Sequence, residues 1–501
     1  MRLFRHYIPI NTLILVIVEL FIVFTSLLVS EHLHSTSFVF KKLSYHKFII
    51  VSFISVSILY IGKMYDEYES YRIKETVPRI TFCYIILLFV IAGMDFVFGI
   101  NIMSAMQYTI FSLLSVSLMI IIRFCHNRLL KMSKLRNKIL VIGYSDAVRE
   151  MYNEIKKEGY LYEIVGVVCG GTPKKIKDNI NVVGTISDID NVLNIYKPNT
   201  LVIALAERRG TFPIHVLINA KLRGIAVEEL ANFYEKITGK ILIKNLRPSW
   251  IIFADGFSKN YITIVVKRLF DIVMAIFGLC VSSPLMILIG IFVKVDSYGP
   301  VFFKQERVGE NGKHFILMKF RTMVADAEKE TGPVWSQTLD PRVTKLGNIL
   351  RRTGMDEIPQ LFNVLRGDMS FVGPRPERPH FVTELQQRIP YYTQRLAVKP
   401  GITGWAQVKY GYGATLADAR EKLQYDLYYI KNMSIFLDFL IILSTIHKVI
   451  FAKVAVESTK EAFETNDAVI IEDEQKEYER PISVPASDSV DMEIRGTGGY
   501  K

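Results

Sequence analysis

Two adjacent carboxylates, Asp356 and Glu357, lie in the run Met355-Asp356-Glu357-Ile358-Pro359-Gln360-Leu361, at what reads as a helix start. Acidic residues there complement the helix dipole, so the pair alone has an ordinary structural explanation. Its surroundings shift the balance. Lys319-Phe320-Arg321 reads as a basic strand, Arg351 and Arg352 end a helix just before the pair, and Gly373-Pro374-Arg375-Pro376-Glu377 forms a rigid basic turn. A glycine-rich loop, Lys399-Pro400-Gly401-Ile402-Thr403-Gly404-Trp405-Ala406-Gln407, follows. These residue types suit phosphoryl transfer out of a diphosphate. One carboxylate can attack phosphorus while its neighbour holds a divalent cation, which also relieves the repulsion between them. Arg375, fixed between prolines, suits bidentate phosphate recognition better than a lysine would.

The elements that position this cluster belong to a membrane protein. Hydrophobic residues make up 50% of 501 positions, and mean hydropathy is +0.25, too apolar for an ordinary soluble enzyme of two or three domains. A net charge of +12 fits contact with anionic headgroups or phosphorylated substrates, and the apolar segments argue against nucleic acid. The four cysteines, Cys83, Cys125, Cys169 and Cys280, show neither a CxxC nor a Cys/His ligand spacing, so no zinc site or disulfide framework is supported.

Apolar segments at Asn11 to Ser30, Lys47 to Gly62, Ile80 to Ile100 and Ala105 to Phe124 are each near the ~20 residues that cross the hydrocarbon core, the second being the shortest. The first is too long for a signal peptide and lacks a small-residue cleavage site. Lys and Arg are dense from Arg123 to Lys138 and absent between Gly99 and Ala105, and Arg2 and Arg5 precede the first segment. By the positive-inside rule, an even number of crossings leaves the N-terminus and everything after Arg128 in the cytoplasm. The Lys41-Lys42 loop runs against this orientation.

From Lys138 the pattern alternates between strand and helix, with strand-like runs at Lys138 to Ile142, Ile164 to Val168 and Thr200 to Leu205 and helical runs at Asp146 to Lys157 and Pro213 to Leu222. This predicts a small, doubly wound parallel sheet. Its first turn, Gly143-Tyr144-Ser145-Asp146, lacks the second and third glycines that bring backbone onto a pyrophosphate, so a structural role is favoured over cofactor binding. Tyr152 and Lys156, one helical turn apart, read as a solvated face rather than a dehydrogenase dyad.

The stretch Leu269 to Val293 is long enough to span, yet Lys267, Arg268 and Lys294 flank both ends and Ser282-Ser283-Pro284 interrupts it. A re-entrant helix that enters one leaflet and returns accounts for both features, against a proline-kinked fifth span that would put the charged domain outside the cell. Ser434 to Ala452 reads as an interfacial helix beside it, and Glu457 to Lys501 as an acidic, disordered tail.

Over about Val266 to Lys453 these motifs resemble the monotopic phosphoglycosyl transferases, bacterial sugar transferases that act on polyprenyl phosphate. The resemblance rests on Ser283-Pro284, Lys319-Phe320-Arg321, Asp356 to Leu361, Gly373-Pro374-Arg375-Pro376 and Gly401-Ile402-Thr403-Gly404-Trp405 in this order. It implies an α plus α/β membrane protein: four transmembrane helices (1–127), a Rossmann-like domain (128–250), a catalytic domain anchored by a re-entrant helix at about 268–294 (251–455), and the tail (456–501). It further implies Asp356 as covalent nucleophile, Glu357 as a Mg²⁺ ligand, Arg375 as a phosphate-binding residue, and Ser283-Pro284 as the shaping element of the re-entrant helix. Arg351 and Asp426 match family positions near the site, with Lys319 and Arg321 as further substrate contacts; Lys319, Arg321, Arg351 and Arg352 could equally anchor lipid headgroups.

The expected reaction moves a sugar 1-phosphate from a UDP-sugar to undecaprenyl phosphate at the inner membrane, starting an exopolysaccharide or O-antigen. A homodimer and other polysaccharide-assembly proteins are among the partners such a role allows. Direct transfer with Asp356 as base is the alternative within the class. A tethered NAD-dependent nucleotide-sugar dehydratase and a non-catalytic export scaffold are the alternatives outside it.

Overall fold

The computed structural model describes residues 2–449, apart from 4–5, 35–44, 66–72, 100–102, 131–136, 159–161, 170–179, 206–213, 244–247, 258–259, 325–340 and the single positions 255, 412 and 414. The acidic tail and the Lys41-Lys42 loop lie outside the described residues.

Four apolar helices come first: α1 (Ile10–His34), α2 (Tyr45–Ile61), α3 (Ile73–Phe98) and α4 (Ala105–Leu130). α1, α3 and α4 contain apolar stretches of 24, 22 and 22 residues, enough to cross a bilayer. The apolar part of α2, Lys47–Ile61, is the shortest of the four, as expected, at about 22 Å for 1.5 Å per residue. The four helices still pack together, α1 and α3 each against α2 and α4, around Val23, Leu59, Ile80, Phe111 and Met119. A fully buried ion pair, Glu19 with Arg123, joins α1 to α4. Tyr65 donates to Glu19, and Arg123 donates to the Met64 carbonyl at 2.6 Å. Charges in an apolar bundle persist when paired in this way, and the pairing fixes the register of these elements.

Next come β1 (Asn137–Ile142), α5 (Asp146–Glu158), β2 (Tyr162–Cys169), β3 (Val182–Thr185), α6 (Ile189–Tyr196), β4 (Thr200–Ile203), α7 (Ile214–Leu222), β5 (Ala226–Glu229) and α8 (Leu230–Thr238). The strands form the expected parallel sheet in the order β3-β2-β1-β4-β5, with Ile139 opposite Ile164 on one side and Thr200 on the other. The central strands are continuous apolar runs because both faces are covered. Ile139 and Val141 meet Val148 and Met151 of α5 and Phe233 of α8, whereas Leu140 and Ile142 meet Val192 of α6 and Leu217 of α7. Lys156 is exposed, as expected, but Tyr152 packs partly buried against the sheet core, which corrects that half of the reading.

The chain then alternates its allegiance. Leu242 belongs to the sheet's core, while Ile241 and Ile243 enter the core of the C-terminal domain. That domain contains α9 (Tyr261–Asp296), β6 (Phe302–Val308), β7 (His314–Phe320), α10 (Lys345–Thr353), α11 (Gln360–Arg366), β8 (Ser370–Val372), α12 (Pro379–Arg388), β9 (Gly401–Thr403), α13 (Leu416–Asn432) and a last helix, α14, over 435–449. β6 and β7 form an antiparallel hairpin, and β8 and β9 pair in parallel.

α9 has 36 residues, about 54 Å at 1.5 Å per residue, and both its arms are fastened to this one domain. On the first arm, Lys267 pairs with Asp438 at 2.6 Å, and Arg268 donates to the Val364 and Leu365 carbonyls at the end of α11. Ala275 and Leu279 pack with Leu361 and Val364. On the second arm, Met286, Ile289 and Val293 pack with Phe320 and Leu350. Between the arms Val281, Ser283, Pro284 and Leu285 are exposed, and the outward face carries Phe277, Ile287 and Phe292. The expected break at Ser283-Pro284 is not a gap in the helix. Pro284 cannot donate to the Cys280 carbonyl, and the Ser283 hydroxyl donates there instead at 3.0 Å, so the helix continues. α14 lies beside α9 as expected, through Asp438, and also against α2, where Phe439 meets Phe53 and Ser444 donates to Tyr60 at 3.4 Å.

Candidate active site

The two carboxylates sit where two helices meet. α10 starts at Thr344, whose hydroxyl accepts from the Gly347 amide at 3.0 Å, and ends at Gly354, which takes φ +69° and donates back to the Leu350 and Arg351 carbonyls. Gly347 is required because a Cβ there would lie 2.1 Å from the Thr322 carbonyl oxygen. The reversed chain makes a single tight turn, Met355–Glu357, before α11 begins. The pair therefore precedes a helix, as expected.

Three further elements bring cations to this turn. β7 delivers Lys319, and β7 is stitched to α11 by buried Asn363, which accepts from the Met318 amide at 3.1 Å and donates to the Ile316 carbonyl at 2.7 Å. β8 delivers Arg375 through the turn that follows it. Lys319 Nζ and Arg375 Nη2 converge on the same oxygen, Oε1 of Glu357, at 2.9 and 2.8 Å. Arg351, at the end of α10, donates to the Thr322 hydroxyl at 2.8 Å and lies close enough to Asp356 for its charge to bear on it.

The neighbours are driven apart in acidity. Burial would raise Glu357, but the Arg375 guanidinium and the Lys319 ammonium outweigh it and hold the carboxyl well below its ordinary range. Asp356 is 8% exposed, and among the described residues it makes no hydrogen bond or ion pair. Burial raises its pKa, with Lys319 opposing and Glu357 reinforcing the shift. Burial likewise lowers Lys319, and Glu357 opposes it. Two carboxylates whose environments separate them in this way can take different roles, one permanently ionised and fixed, the other unbonded and reactive.

No group of three or more His, Cys, Asp or Glu residues with metal-binding geometry occurs among the described residues. Mg²⁺ does not need one, since it binds through one or two carboxylates together with water and substrate phosphate. Both cations occupy Oε1, which leaves Glu357 Oε2 without a hydrogen-bond partner among the described residues. The oxygen donor set fits a Mg²⁺ ion that arrives with a phosphorylated substrate.

The other expected site residues fall into different places. Arg321 is buried and donates to the Val293, Ser297 and Tyr298 carbonyls at 3.3, 2.6 and 2.8 Å, so it closes the C-terminal end of α9. Asp426 is buried and paired with Arg395 at 2.8 Å. The glycine loop does not expose backbone to a ligand. Gly401 donates to the Pro374 carbonyl at 2.9 Å, Gly373 donates to Thr403 at 2.9 Å, and a Cβ on Gly401 would lie 2.0 Å from the Gly373 nitrogen. The two motifs are one backbone unit that holds Arg375. Trp405 donates to the Gly239 carbonyl of the parallel-sheet domain at 2.8 Å, and its ring meets His6, 5.6 Å away, from the segment before α1.

Sequence reasoning missed Asn363 and Arg395. An asparagine among the apolar residues of α11 was a readable signal for the first; the second had none.

The profile described as bacterial sugar transferase matches residues 262–452, and one described as CoA-binding domain matches residues 61–212. The chain is 40% identical over 234 residues to a UDP-N-acetylgalactosamine-undecaprenyl-phosphate N-acetylgalactosaminephosphotransferase of Aeromonas hydrophila, covering 47% of this chain and 54% of that protein. It is 51% identical over 133 residues to a putative undecaprenyl-phosphate N-acetylgalactosaminyl 1-phosphate transferase of Bacillus subtilis, covering 26% and 74%. An undecaprenyl-phosphate glucose phosphotransferase of Komagataeibacter xylinus is 29% identical over 404 residues, covering 77% and 72%. Against several curated relatives, the Aeromonas protein among them, the chain spans about half of their length.

Proposed function

The chain belongs to the bacterial sugar transferase family, and from that premise we propose that it transfers a sugar 1-phosphate from a UDP-sugar to undecaprenyl phosphate, releasing UMP. The reaction begins an exopolysaccharide or O-antigen chain on the cytoplasmic face of the inner membrane. The observation that carries the reading is the division of labour between the neighbouring carboxylates, Glu357 clamped by two cations and Asp356 buried without a partner.

In the first half-reaction an Asp356 carboxylate oxygen attacks the β-phosphorus of the UDP-sugar. The bond from that phosphorus to the bridging oxygen breaks, and UMP leaves with the electron pair. In the second, an oxygen of undecaprenyl phosphate attacks the phosphorus of the aspartyl phosphosugar and expels the Asp356 carboxylate, which leaves the sugar on a lipid diphosphate. Arg375 holds the phosphate oxygens, and Lys319 adds a second positive charge in a half-buried site where charge interactions are strong. Glu357 keeps both cations aimed at the reacting phosphorus. Glu357 would hold Mg²⁺, and the chemistry the ion would supply there is positive charge for the diphosphate and its leaving group.

The long helix supports a one-sided seat in the bilayer. Both arms of α9 pack on the catalytic domain while its outward face is apolar, which supports a helix seated in one leaflet over a crossing, for which its 36 residues would also suffice. The contact of His6, just before α1, with Trp405 and Tyr428 supports an N-terminus on the same side as the catalytic domain.

A panel of UDP-sugars, offered with Mg²⁺ and undecaprenyl phosphate to detergent-purified protein, tests the proposal. Release of UMP from at least one donor is expected, and its loss in Asp356→Asn. Silence across the panel from folded protein would overturn it.

A further inference from the structure

The Arg375 turn is held from two sides by side chains that never reach the carboxylates. Arg395, in the turn Tyr392–Ala397, divides its guanidinium among three partners. Nε donates to Asp426 Oδ2 at 3.0 Å with Nη2 2.8 Å from the same oxygen, Nη1 donates to the Tyr392 hydroxyl at 2.8 Å, and Nη2 donates to the Arg375 carbonyl at 3.0 Å. Arg395 and Asp426 are 7% and 2% exposed, so neither can leave for substrate without breaking a buried pair. From the opposite side, Arg307 of β6 donates to the Pro376 carbonyl at 3.1 Å, and the Gly401 amide takes the Pro374 carbonyl. Three successive carbonyls, at 374, 375 and 376, are therefore fixed from three different elements. The Arg375 side chain they carry is itself 36% exposed.

A long side chain on a free turn would sample many positions. One whose backbone is fixed retains only its rotamers, and preorganisation of that kind is what phosphate recognition needs. A buried ion pair is weak evidence for stability as such, because apolar replacements of both partners are often neutral. We propose that Arg395, oriented by Asp426, is a positioning residue that acts on the substrate phosphates only through Arg375. This rests on the proposed function in one respect, that Arg375 binds the diphosphate. It turns Asp426 from a supposed substrate contact into the anchor of that brace, and it places the brace on α13, the helix on which the parallel-sheet domain docks through Lys431 and Glu235.

A double-mutant cycle read in UDP affinity, by calorimetry on the full chain with Mg²⁺, tests this. Arg395→Lys keeps a charge for Asp426, but a single nitrogen cannot span partners that the guanidinium reaches with three separate nitrogens. Arg395→Met with Asp426→Leu removes both charges and leaves none buried, which guards against failure to fold. Each change should weaken UDP binding about tenfold in the native background and less than about twofold once Arg375→Ala is present, since residues that act as a unit are non-additive. In turnover the loss should fall mainly on KM. Equal losses in both backgrounds would mean general structural support and overturn the proposal, as would unchanged affinity in Arg395→Lys. A protein that binds UDP but releases no UMP would count against the proposed reaction and not against the brace.

Discussion

Two clusters of buried charge in this molecule are built from the same residue types and end in opposite states. Where the parallel-sheet domain meets α13, both oxygens of Glu235 are taken, by Lys431 at 2.6 Å and Asn432 at 3.0 Å, and Lys240 lies between Glu421 at 2.6 Å and Glu154 at 3.8 Å. At the Met355–Glu357 turn, two cations converge on one oxygen of Glu357, and Asp356 is left buried with no hydrogen bond or ion pair among the described residues. A closed set of charges holds two domains together. A set that leaves one carboxylate over keeps an uncompensated burial cost at one atom group, and that is where chemistry can occur.

The strongest way to break this contrast is Asp356→Asn. Turnover should fall by about 10³-fold or more, as removal of a covalent nucleophile requires. Stability should not fall with it. Burial raises the folded-state pKa of Asp356 above its unfolded value, so its ionisation at neutral pH disfavours the folded state and the neutral amide removes that penalty. The melting temperature of the variant should equal or exceed that of the parent; a clear drop would contradict the assigned environment.

Glu235→Gln should do the reverse. It leaves Lys431 buried without its counter-charge, at a cost of roughly 3 kcal/mol, visible as a lower melting temperature. UMP release per folded molecule should stay within about twofold, since the pair lies outside the reacting cluster. Arg321→Lys should also lower the melting temperature, by removing most of the cap on α9, and leave UDP affinity unchanged; a large affinity loss would restore it as a substrate contact.

The smallest effect is in the pH profile. The acid limb of kcat/KM should lie above the ordinary aspartate value of 3.8, because Asp356 must be ionised to attack and its pKa is raised. Glu357, held low, stays ionised across the range and contributes no second limb. A limb at or below the ordinary value would assign it to another group.

Much of this architecture was legible because it is local. The apolar runs of α1, α3 and α4, the alternation that builds the sheet, and the order of motifs around Asp356 each follow from short-range pattern. What escaped was set by distant partners. Arg321 follows a strand beside Lys319 and reads as its twin, yet the carbonyls it caps lie 23 to 28 residues earlier. Lys267 and Arg268 read as positive-inside flanks, but they are spent on Asp438 and on the end of α11. The glycine-rich loop at 399–407 gave no sign that Gly401 packs against the backbone at Gly373. Asp426 showed its charge in the sequence but not that Arg395, 31 residues away, would consume it.

The central claim is that Asp356 carries the phosphosugar covalently. Rapid acid quench of the enzyme with its UDP-sugar in the absence of undecaprenyl phosphate, followed by intact and peptide mass spectrometry, tests it most directly. One added phosphosugar should appear on the peptide containing Asp356, be absent in Asp356→Asn, and disappear when undecaprenyl phosphate is supplied. An enzyme that turns over at full rate with no adduct at any quench time would contradict the claim and leave direct transfer, with Asp356 as base, in its place.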